Sequence, residues 1–525
     1  MSETYNKGLF YDWVPKPVML LLIIVYLFPL LSVSGVYTSL MQDMVGSTGL
    51  MSEHIQMAMN AGTIGMAALV PLMMKLKIYF RIKYRMIFCL LGMALFSFAI
   101  AYSEDAYVLV FGSFIIGLLK MMTFVEFILP LMFIISPDGN RGPFYAVFYP
   151  LMMASGQISN YLFAKMAYDT NWQSIYIYVG CLMLFLALLS VIFMHHKYFS
   201  KPTPLYYVDW LSVVLFVTLL MCLNYFLSFT KQQGWFSSTT IQASLVGFIF
   251  FSFWFAVRQT RLIRPLMPLH YLAKHQLLKG TVLILFLGIF MGSSILESSF
   301  RTGVLGYDNV TNNRLNLVMI PGIVFAGIIG IIWFKKNRPL KYFILIGFVC
   351  YTLYAGYMYF LIAPVVDIEY FIFPLILRGM GMTILFIGIW FYTLDGIPMG
   401  EMLASMGIFM SLRTFIAPAI FISFFSWALY QWQWQSIGNL TTLMDGMALS
   451  NQTGGLAIYG QVQMQAILSA IKTLFGYIII AGLGIQVYVL FSKFGKMNYI
   501  KFLFIRRSNK KSRKLDVRLE HVDDL

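Results

Sequence analysis

Long apolar segments separated by short polar ones run along almost the whole chain. An α-helix needs about 20 apolar residues to cross the hydrocarbon core of a bilayer, and on that basis we place about fourteen spans. They lie near residues 18–40, 53–74, 86–103, 107–135, 144–166, 172–194, 209–230, 240–257, 278–300, 315–334, 341–362, 370–393, 403–429 and 468–492. The pattern predicts an all-α polytopic membrane protein with no separate soluble domain.

The composition agrees with this prediction, and the sequence shows no signal for a disulfide framework, a metal site or a nucleotide site. Of the 525 residues, 60% are hydrophobic and only 11% are charged, too few for the surface of a soluble protein of this length. The four cysteines stand singly in apolar segments, without a CxxC pair, so we expect neither a disulfide framework nor a metal site. No nucleotide fold or phosphate loop is visible, so we expect no cofactor and no use of ATP. The first apolar segment is too long for a signal peptide and is expected to remain as a span.

The basic residues are distributed unevenly between alternate connections. With the N-terminus in the cytoplasm, the outside segments hold only Lys165, Lys231, Arg301 and Arg314, whereas the inside segments hold most of the remaining Lys and Arg. This asymmetry predicts that both termini are cytoplasmic and that the protein is a multi-pass protein of the cell (inner) membrane. The net charge of +16 includes a basic tail, 496–525. We interpret that tail as contacting anionic lipid of the bilayer and expect no nucleic-acid partner, although a nucleic-acid-binding arm is the alternative.

The longest outside segment, Gln431 to Gln465, is rich in Gln, Gly, Asn, Ser and Thr and has no His, Lys or Arg. This composition predicts a flexible surface loop.

The chain also looks duplicated. Residues 82–92 (IKYRMIFCLLG) and 340–349 (LKYFILIGFV) each follow a basic loop and begin a span. If spans seven and eight are an inserted pair, the two segments are equivalent positions in two six-span halves. Repeated halves with a site between them near the midplane are typical of transporters.

At this point the sequence resembles the fourteen-span drug/proton antiporter family of the major facilitator superfamily. The resemblance covers nearly the whole chain and is strongest in the second half. The segments that carry it are DWLSVVLF (209–216), KQQGWFSS (231–238), RPLMPLHYL (264–272), VLGYD (304–308), LILRGMGMTILF (375–386) and GIPMGEMLASMGIFMSLR (396–413).

The first half departs from that family's pattern. The family's Gly, Asp and Gly between spans two and three are Met74, Ile78 and Arg81 here. The embedded Asp of the family's first span corresponds to Pro29, and the Arg of its fourth span to Ser113. Its glycine-rich fifth-span signature is reduced here to SGQISN at 155–160, with Ala164.

Charged residues inside spans are the candidate functional groups, because they are costly in a bilayer. Glu126 and Glu297 are the acidic residues well inside spans. Lys120 and Glu126 are six residues apart, which places them about 120° apart on the helix and prevents an i,i+4 pair. We therefore expect the fourth span to face an aqueous or polar central cavity, with Glu126 and Lys120 as proton-coupling or substrate-binding candidates. The alternative is that neighbouring helices neutralise both charges and that they only fix the packing.

The second half offers three further candidates. Glu297 and Arg301 have the i,i+4 spacing of a local salt bridge, which is either functional or only structural. Arg378 precedes Gly379 and lies in the matching fourth helix of the second half, by the family resemblance. Arg413 and Lys472 also lie in or near spans, where we interpret them as snorkelling or structural pairs.

These observations predict a major-facilitator fold, with an N-terminal six-helix bundle (1–200), an inserted two-helix linker (201–262), a C-terminal six-helix bundle (263–495) and a basic tail (496–525). The resemblance implies a proton-coupled secondary transporter that exports amphipathic small molecules by alternating access. It also implies pairing with a periplasmic adaptor and an outer-membrane channel.

Two alternatives remain open. A lipid or metabolite carrier of the same fold, acting as a uniporter, would explain the reduced antiporter signatures. A polytopic membrane enzyme acting on lipid-linked substrates would need a reactive cluster on an outer loop, where only Asp445 is available. We favour the transporter and do not expect an enzyme.

Overall fold

Every long element that the structure describes is a helix. The computed structural model describes residues 9–33, 36–136, 141–196, 209–262, 265–267, 275–336, 338–394, 406–441, 455–492 and 494. The predicted basic tail at 496–525 lies outside the described residues, and so does much of the segment 396–413 that carries the family resemblance.

The helices fall into two sets, separated by a helix pair. The first set is α1 (Lys16–Ser32), α2 (Val36–Thr48), α3 (Ser52–Leu69), α4 (Met73–Tyr79), α5 (Ile82–Ala101), α6 (Ala106–Ile135), α7 (Arg141–Asp169) and α8 (Trp172–Phe193). The pair is α9 (Trp210–Phe229) and α10 (Thr239–Arg261). The second set is α11 (His275–Gly292), α12 (Ser294–Ser298), α13 (Asn309–Leu317), α14 (Met319–Lys335), α15 (Leu340–Leu361), α16 (Ile372–Leu394), α17 (Ala417–Thr441) and α18 (Gly455–Phe491).

The number of membrane-spanning segments agrees with the sequence pattern. Thirteen segments of the described chain are long and apolar enough to cross a membrane. To these we add α7, which has 29 residues but carries the polar run at 155–160. Together they correspond to the fourteen predicted spans.

The described parts of the polar segment from Gln431 to Gln465 are helical, so the prediction of a flexible loop over this whole range is wrong. α17 continues to Thr441 and α18 begins at Gly455, while residues 442–454 lie outside the described part of the chain. The segment Met406–Leu440 has 35 residues, about 50 Å at 1.5 Å per residue. It is therefore longer than the hydrocarbon core, about 30 Å, and its polar residues belong to a helix that extends beyond the bilayer.

Two π-helical turns interrupt helices of the second half. One covers Ser299–Val304, directly after α12, and the other covers Leu412–Ile416, directly before α17. Each contains a buried arginine, Arg301 in the first turn and Arg413 in the second. Such turns appear mostly as single-turn bulges in α-helices and are frequent at functional sites.

Helices α3 and α6 of the first half cross at unusually short range. A β-carbon placed on Gly65 would lie 2.2 Å from the carbonyl oxygen of Phe114, and one on Gly117 would lie 1.9 Å from that of Gly62. Small residues are what allow two membrane helices to approach this closely.

The second half repeats this crossing between α14 and α16. A β-carbon on Gly322 would lie 2.1 Å from the carbonyl oxygen of Ile376, and one on Gly379 would lie 2.4 Å from that of Met319. On each helix the two positions involved are three residues apart, as in the first half. The crossing therefore matches the duplication seen in the sequence, where α5 and α15 begin at the two repeated segments, Ile82 and Leu340.

The two halves meet along a surface that we call the seam, where α7 packs against α13, α14 and α16. We call the end of the molecule that holds the loop 75–85 the basic end. At that end Gly142 of α7 faces Phe334 of α14, and a β-carbon on Gly142 would lie 2.5 Å from the ring. Near the other end, Asn309 donates hydrogen bonds to the carbonyl of Ser39 and to Asp43, at 3.1 Å for the latter. α9 packs against α10, α3 and α17.

Candidate functional site

Glu126 lies inside α6 and is shared by two cations. Its Oε2 is 3.2 Å from Lys77 Nζ, and its Oε1 accepts a hydrogen bond from Arg85. Arg85 also donates to the backbone carbonyls of Lys77 and Phe80, at 2.8 and 3.0 Å. Glu126 is only 3% exposed. The carboxylate is thus enclosed between α6 and the basic loop, which corrects the expectation that it faces an aqueous central cavity.

Lys120 lies on the same helix in a different environment. It lines a cavity of about 60 Å³ within the first half, together with the hydroxyl-bearing side chains of Tyr37, Thr63, Ser97, Ser113 and Tyr176. Tyr37 and Ser113 are hydrogen-bonded to each other. A cavity of this size has room for a few water molecules. Lys120 therefore borders a small, mainly apolar cavity inside the first half that several hydroxyl groups also line, and not a cavity between the halves.

Glu297 is the centre of a buried cluster in the second half. Its Oε1 accepts a hydrogen bond from Arg301, and its Oε2 accepts one from Arg378 and one from the hydroxyl of Tyr354, at 2.6 Å for the latter. The local pair that the i,i+4 spacing predicts between Glu297 and Arg301 is present. The side chain of Arg378 is 15% exposed, whereas that of Glu297 is 2% exposed. One carboxylate and two guanidinium groups give the cluster a formal charge of +1.

Arg301 connects this cluster to the start of the tenth span. Its Nη1 donates to the side-chain oxygens of Asn312 and Asn316, at 3.2 and 3.1 Å. Its guanidinium also lies 5.3 Å from the centre of the Phe371 ring. These contacts fix Arg301 on its π-helical turn and hold Glu297 in place.

Arg413 is a further buried cation, and the structure places it at the seam. Its Nη1 donates to the hydroxyl of Tyr149 on α7, at 3.0 Å. Its guanidinium lies 4.6 Å and 4.7 Å from the ring centres of Phe386 and Trp390, both on α16. Arg413 is 5% exposed. Arg413 therefore does not snorkel, and its contacts with a hydroxyl and aromatic rings join the two halves.

The structure brings three of the five predicted site residues together and separates the other two. Glu297, Arg301 and Arg378 form one cluster, whereas Lys120 and Glu126 have different surroundings on α6. Sequence reasoning counted Lys77 and Arg85 only as signals of orientation and did not single out Tyr354.

The two clusters have the same chemical design. In each, one buried carboxylate contacts two cations. A proton added to either carboxylate would release two cations at once. Such a group can therefore couple proton binding to a rearrangement of its neighbours.

Comparisons with known proteins relate the chain to membrane transporters through structure. No family model matches the sequence, and no curated protein matches it. Among solved structures, an auto-inhibited POT family peptide transporter is 15% identical, with 92% of this chain and 98% of that chain covered and a TM-score of 0.54. The nucleoside transporter NupG is 12% identical, with 90% and 99% covered and a TM-score of 0.53. A peptide transporter POT in complex with sulfate is 14% identical, with 91% and 95% covered and a TM-score of 0.57.

At these identities the likeness shows the fold. The chain has the major facilitator fold, all-α and spanning the membrane many times, and the predicted fold class is confirmed. These similar structures are transporters of peptides and of a nucleoside.

Proposed function

We propose that this protein is a proton-coupled secondary transporter that exports amphipathic small molecules by alternating access. The observation that carries the proposal is the seam. Its two ends are closed by different contacts, Gly142 against Phe334 at the basic end and Asn309 with Ser39 and Asp43 at the other. Rocking of the two halves would open one set of contacts while the other stays closed, which is the motion that alternating access requires.

The candidate coupling groups are the carboxylates of the two clusters. Glu297 is the stronger candidate, because its partner Arg378 is partly exposed and can transmit a change of protonation to a bound substrate. Arg301 would hold the carboxylate in place. Glu126, with Lys120 six residues before it on α6, is the corresponding candidate of the first half. Protonation of either carboxylate would loosen two cations and so change how the surrounding helices pack.

Flux measurements in proteoliposomes test the proposal. The purified protein is reconstituted, a pH gradient is imposed, and uptake of a panel of dyes and lipids is followed. We expect gradient-dependent accumulation in the wild type and downhill exchange without accumulation in Glu297→Gln, because the amide imitates the protonated acid. Glu126→Gln is measured beside it, and Glu369→Gln, outside both clusters, is the control.

The melting temperature of each variant separates lost coupling from lost folding. If well-folded Glu297→Gln still accumulates substrate fully, with an unshifted pH optimum, Glu297 does not couple the proton and Glu126 becomes the candidate. No gradient-dependent flux of any compound in the wild type would refute the proton-coupled proposal.

A lipid carrier of the same fold is the second candidate, and one observation favours it. Cavities of about 830 Å³ and 280 Å³ adjoin where α9 packs on the first half, and they share Phe114 and Val217. Their walls are almost entirely apolar, while His54 and Gln232 border the larger one. A groove of this shape suits an acyl chain with a polar head group. Flux of a fluorescent phospholipid, independent of the pH gradient, would favour this candidate.

The direction and partners of transport remain predictions from the sequence. The basic end is expected to face the cytoplasm of the cell (inner) membrane. A periplasmic adaptor and an outer-membrane channel would then bind at the opposite end. Accessibility of a cysteine placed at Gly46 to an impermeant reagent, in intact cells, tests this orientation.

A further inference from the structure

Arg413 differs from the other deeply placed arginines that the structure describes. Arg85, Arg301 and Arg378 each contact a carboxylate. Among the described residues Arg413 contacts no carboxylate; its partners are the hydroxyl of Tyr149 and aromatic rings.

Burying the guanidinium of Arg413 in this way costs free energy. A buried guanidinium without a counter-ion loses several kcal/mol of hydration free energy. Rings can return about 2 kcal/mol or more for a desolvated cation. Here Phe386 and Trp390 lie within 5 Å of the guanidinium, and the ring of Tyr149 lies at 5.2 Å. The rings stabilise the cation but leave its negative partner missing.

The position of Arg413 points to a ligand. It lies on the π-helical turn Leu412–Ile416, and such turns are frequent at functional sites. It contacts α7 of the first half and α16 of the second, so it stands where a substrate carried between the halves would pass. Opening the seam would separate Arg413 from Tyr149 and free its hydrogen-bonding edge.

The charges around it determine which substrate would fit. Within the helices that the structure describes, the deeply buried carboxylates are Glu126 and Glu297, and each is already held by two cations. Among these described helices, a cationic substrate would therefore find no deeply buried carboxylate that is not already engaged. An anionic substrate would find Arg413, and it would also meet the excess positive charge of the Glu297 cluster.

We propose that Arg413, Tyr149, Phe386 and Trp390 form a binding subsite for the oxyanion of an amphipathic organic anion. The guanidinium binds a carboxylate, sulfonate or phosphate through two parallel hydrogen bonds. The rings of Phe386 and Trp390 contact the flat apolar body. This inference rests on the proposed transport function and assigns the substrate class that the function leaves open.

Three probes with one ring system and different charges test it. 2-Naphthoate, 2-naphthamide and 2-naphthylmethylammonium are bound to the full-length protein in lipid nanodiscs, and their affinities are measured by equilibrium dialysis. We expect naphthoate to bind about tenfold more tightly than the other two. Arg413→Gln should remove this preference. Arg338→Gln is the matched control, because Arg338 also lies over a tryptophan, at 5.5 Å from Trp333, but is exposed and outside the aromatic cluster around Arg413.

A second pair of variants protects the test against misfolding. Arg413→Lys keeps the charge and loses the two-pronged geometry, so naphthoate affinity should fall severalfold while naphthamide affinity stays the same. Tyr149→Phe removes the hydroxyl that occupies Nη1, so naphthoate affinity should be unchanged or higher. Equal affinities of the three probes in the wild type would overturn the proposal, and so would an unaltered preference in folded Arg413→Gln or Arg413→Lys.

Failure of this inference and failure of the transport proposal give different results. Gradient-driven flux of neutral or cationic compounds, without a preference for anions, would leave the transporter standing and refute the anion subsite. Arg413-dependent binding of naphthoate without any gradient-driven flux would support the subsite and refute proton coupling.

Discussion

At the scale of single residues, the main feature is a carboxylate shared by two cations, at Glu126 in one half and Glu297 in the other. Because the carboxylate is shared, the three residues of a cluster contribute unequally to stability. Removing one cation leaves a neutral pair, whereas removing the carboxylate leaves two buried cations with no negative partner.

We therefore predict that Glu297→Gln lowers stability more than Arg301→Gln does. The first change strands Arg301 and Arg378 and should cost about 3–5 kcal/mol. The second leaves Glu297 with Arg378 and with the hydroxyl of Tyr354 and should cost clearly less. Thermal unfolding in detergent, followed by tryptophan fluorescence, measures both. Equal losses would mean that Arg378 contributes nothing to holding Glu297.

The sequence identifies these charges but not their partners. Glu297 and Arg301 could be paired from their spacing, because an i,i+4 relation is fixed by the helix itself. Glu126 and Arg85 are 41 residues apart and Glu297 and Arg378 are 81 apart. Such contacts depend on how helices pack, which hydropathy does not encode. The aromatic surroundings of Arg413 were missed for the same reason.

At the scale of helices, close approach depends on glycine at four positions, two in each half. We predict that Gly117→Ala and Gly379→Ala each cause a large loss of folded protein. Each added methyl would meet a backbone carbonyl, which cannot turn aside as a side chain can. Gly356→Ala on α15 is the control, since a β-carbon there would have no neighbour within 4 Å. Fluorescence-detected size-exclusion chromatography reports the folded fraction. Normal profiles for both glycine variants would show that the crossings can widen without cost.

The inserted pair of helices is held at its basic end by an acid that caps one helix and binds the other. Asp209 accepts a hydrogen bond from the backbone of Ser212 at the start of α9 and bonds from Arg258 of α10, at 2.8 and 3.1 Å. Partial burial opposes ionisation of Asp209, but the hydrogen bonds from Arg258 and Ser212 outweigh it, so the pKa of this carboxyl lies below its ordinary value. The charged form is thus favoured by folding.

A pH dependence follows. Because the pKa is lower in the folded protein, the contribution of Asp209 is fully present at neutral pH and is lost as the pH falls through the folded-state pKa. We predict that Asp209→Asn melts at a lower temperature than the wild type at pH 7 and that the difference closes below about pH 4. A difference in melting temperature between Asp209→Asn and the wild type that is the same at pH 7 and at acidic pH would contradict this prediction.

Helices could be predicted from the sequence more completely than their irregularities. Runs of about 20 apolar residues located the spans, because the bilayer sets that length. The extension of α17 to Thr441 was missed, since its polar residues look like those of a loop. The π-helical turns were missed as well, because Leu412–Ile416 has no residue type that distinguishes it from an ordinary turn.

At the scale of the whole molecule, the seam should control transport. We predict that cysteines replacing Gly142 and Phe334, in a background without the four native cysteines, form a disulfide that stops flux. A β-carbon at position 142 would lie 3.0 Å from that of Phe334, slightly less than the usual 3.5–4.5 Å of a disulfide. Oxidation should abolish flux and reduction should restore it, because the basic end can then open again. Each single-cysteine variant is the control, and full flux in the oxidised double variant would show that this end need not open.

The duplication and the number of spans could be predicted, because both are periodic features of one sequence. The contacts that close each end of the seam could not be predicted, since Gly142 and Phe334 carry no signal of mutual contact.

The glycine crossings also bear on how the chain enters the membrane during synthesis. α3 leaves the ribosome before α5 and α6, so Gly62 and Gly65 reach the lipid before the helix that will cover them exists. Until α6 arrives, the small-residue face of α3 is open to any other helix nearby, and the same holds for α14 before α16. Each half must therefore pass through a nascent stage in which its tightest contact is still unmade. A ribosome that stalls between α5 and α6 would release a fragment that is fully inserted yet ready to associate with the wrong neighbour.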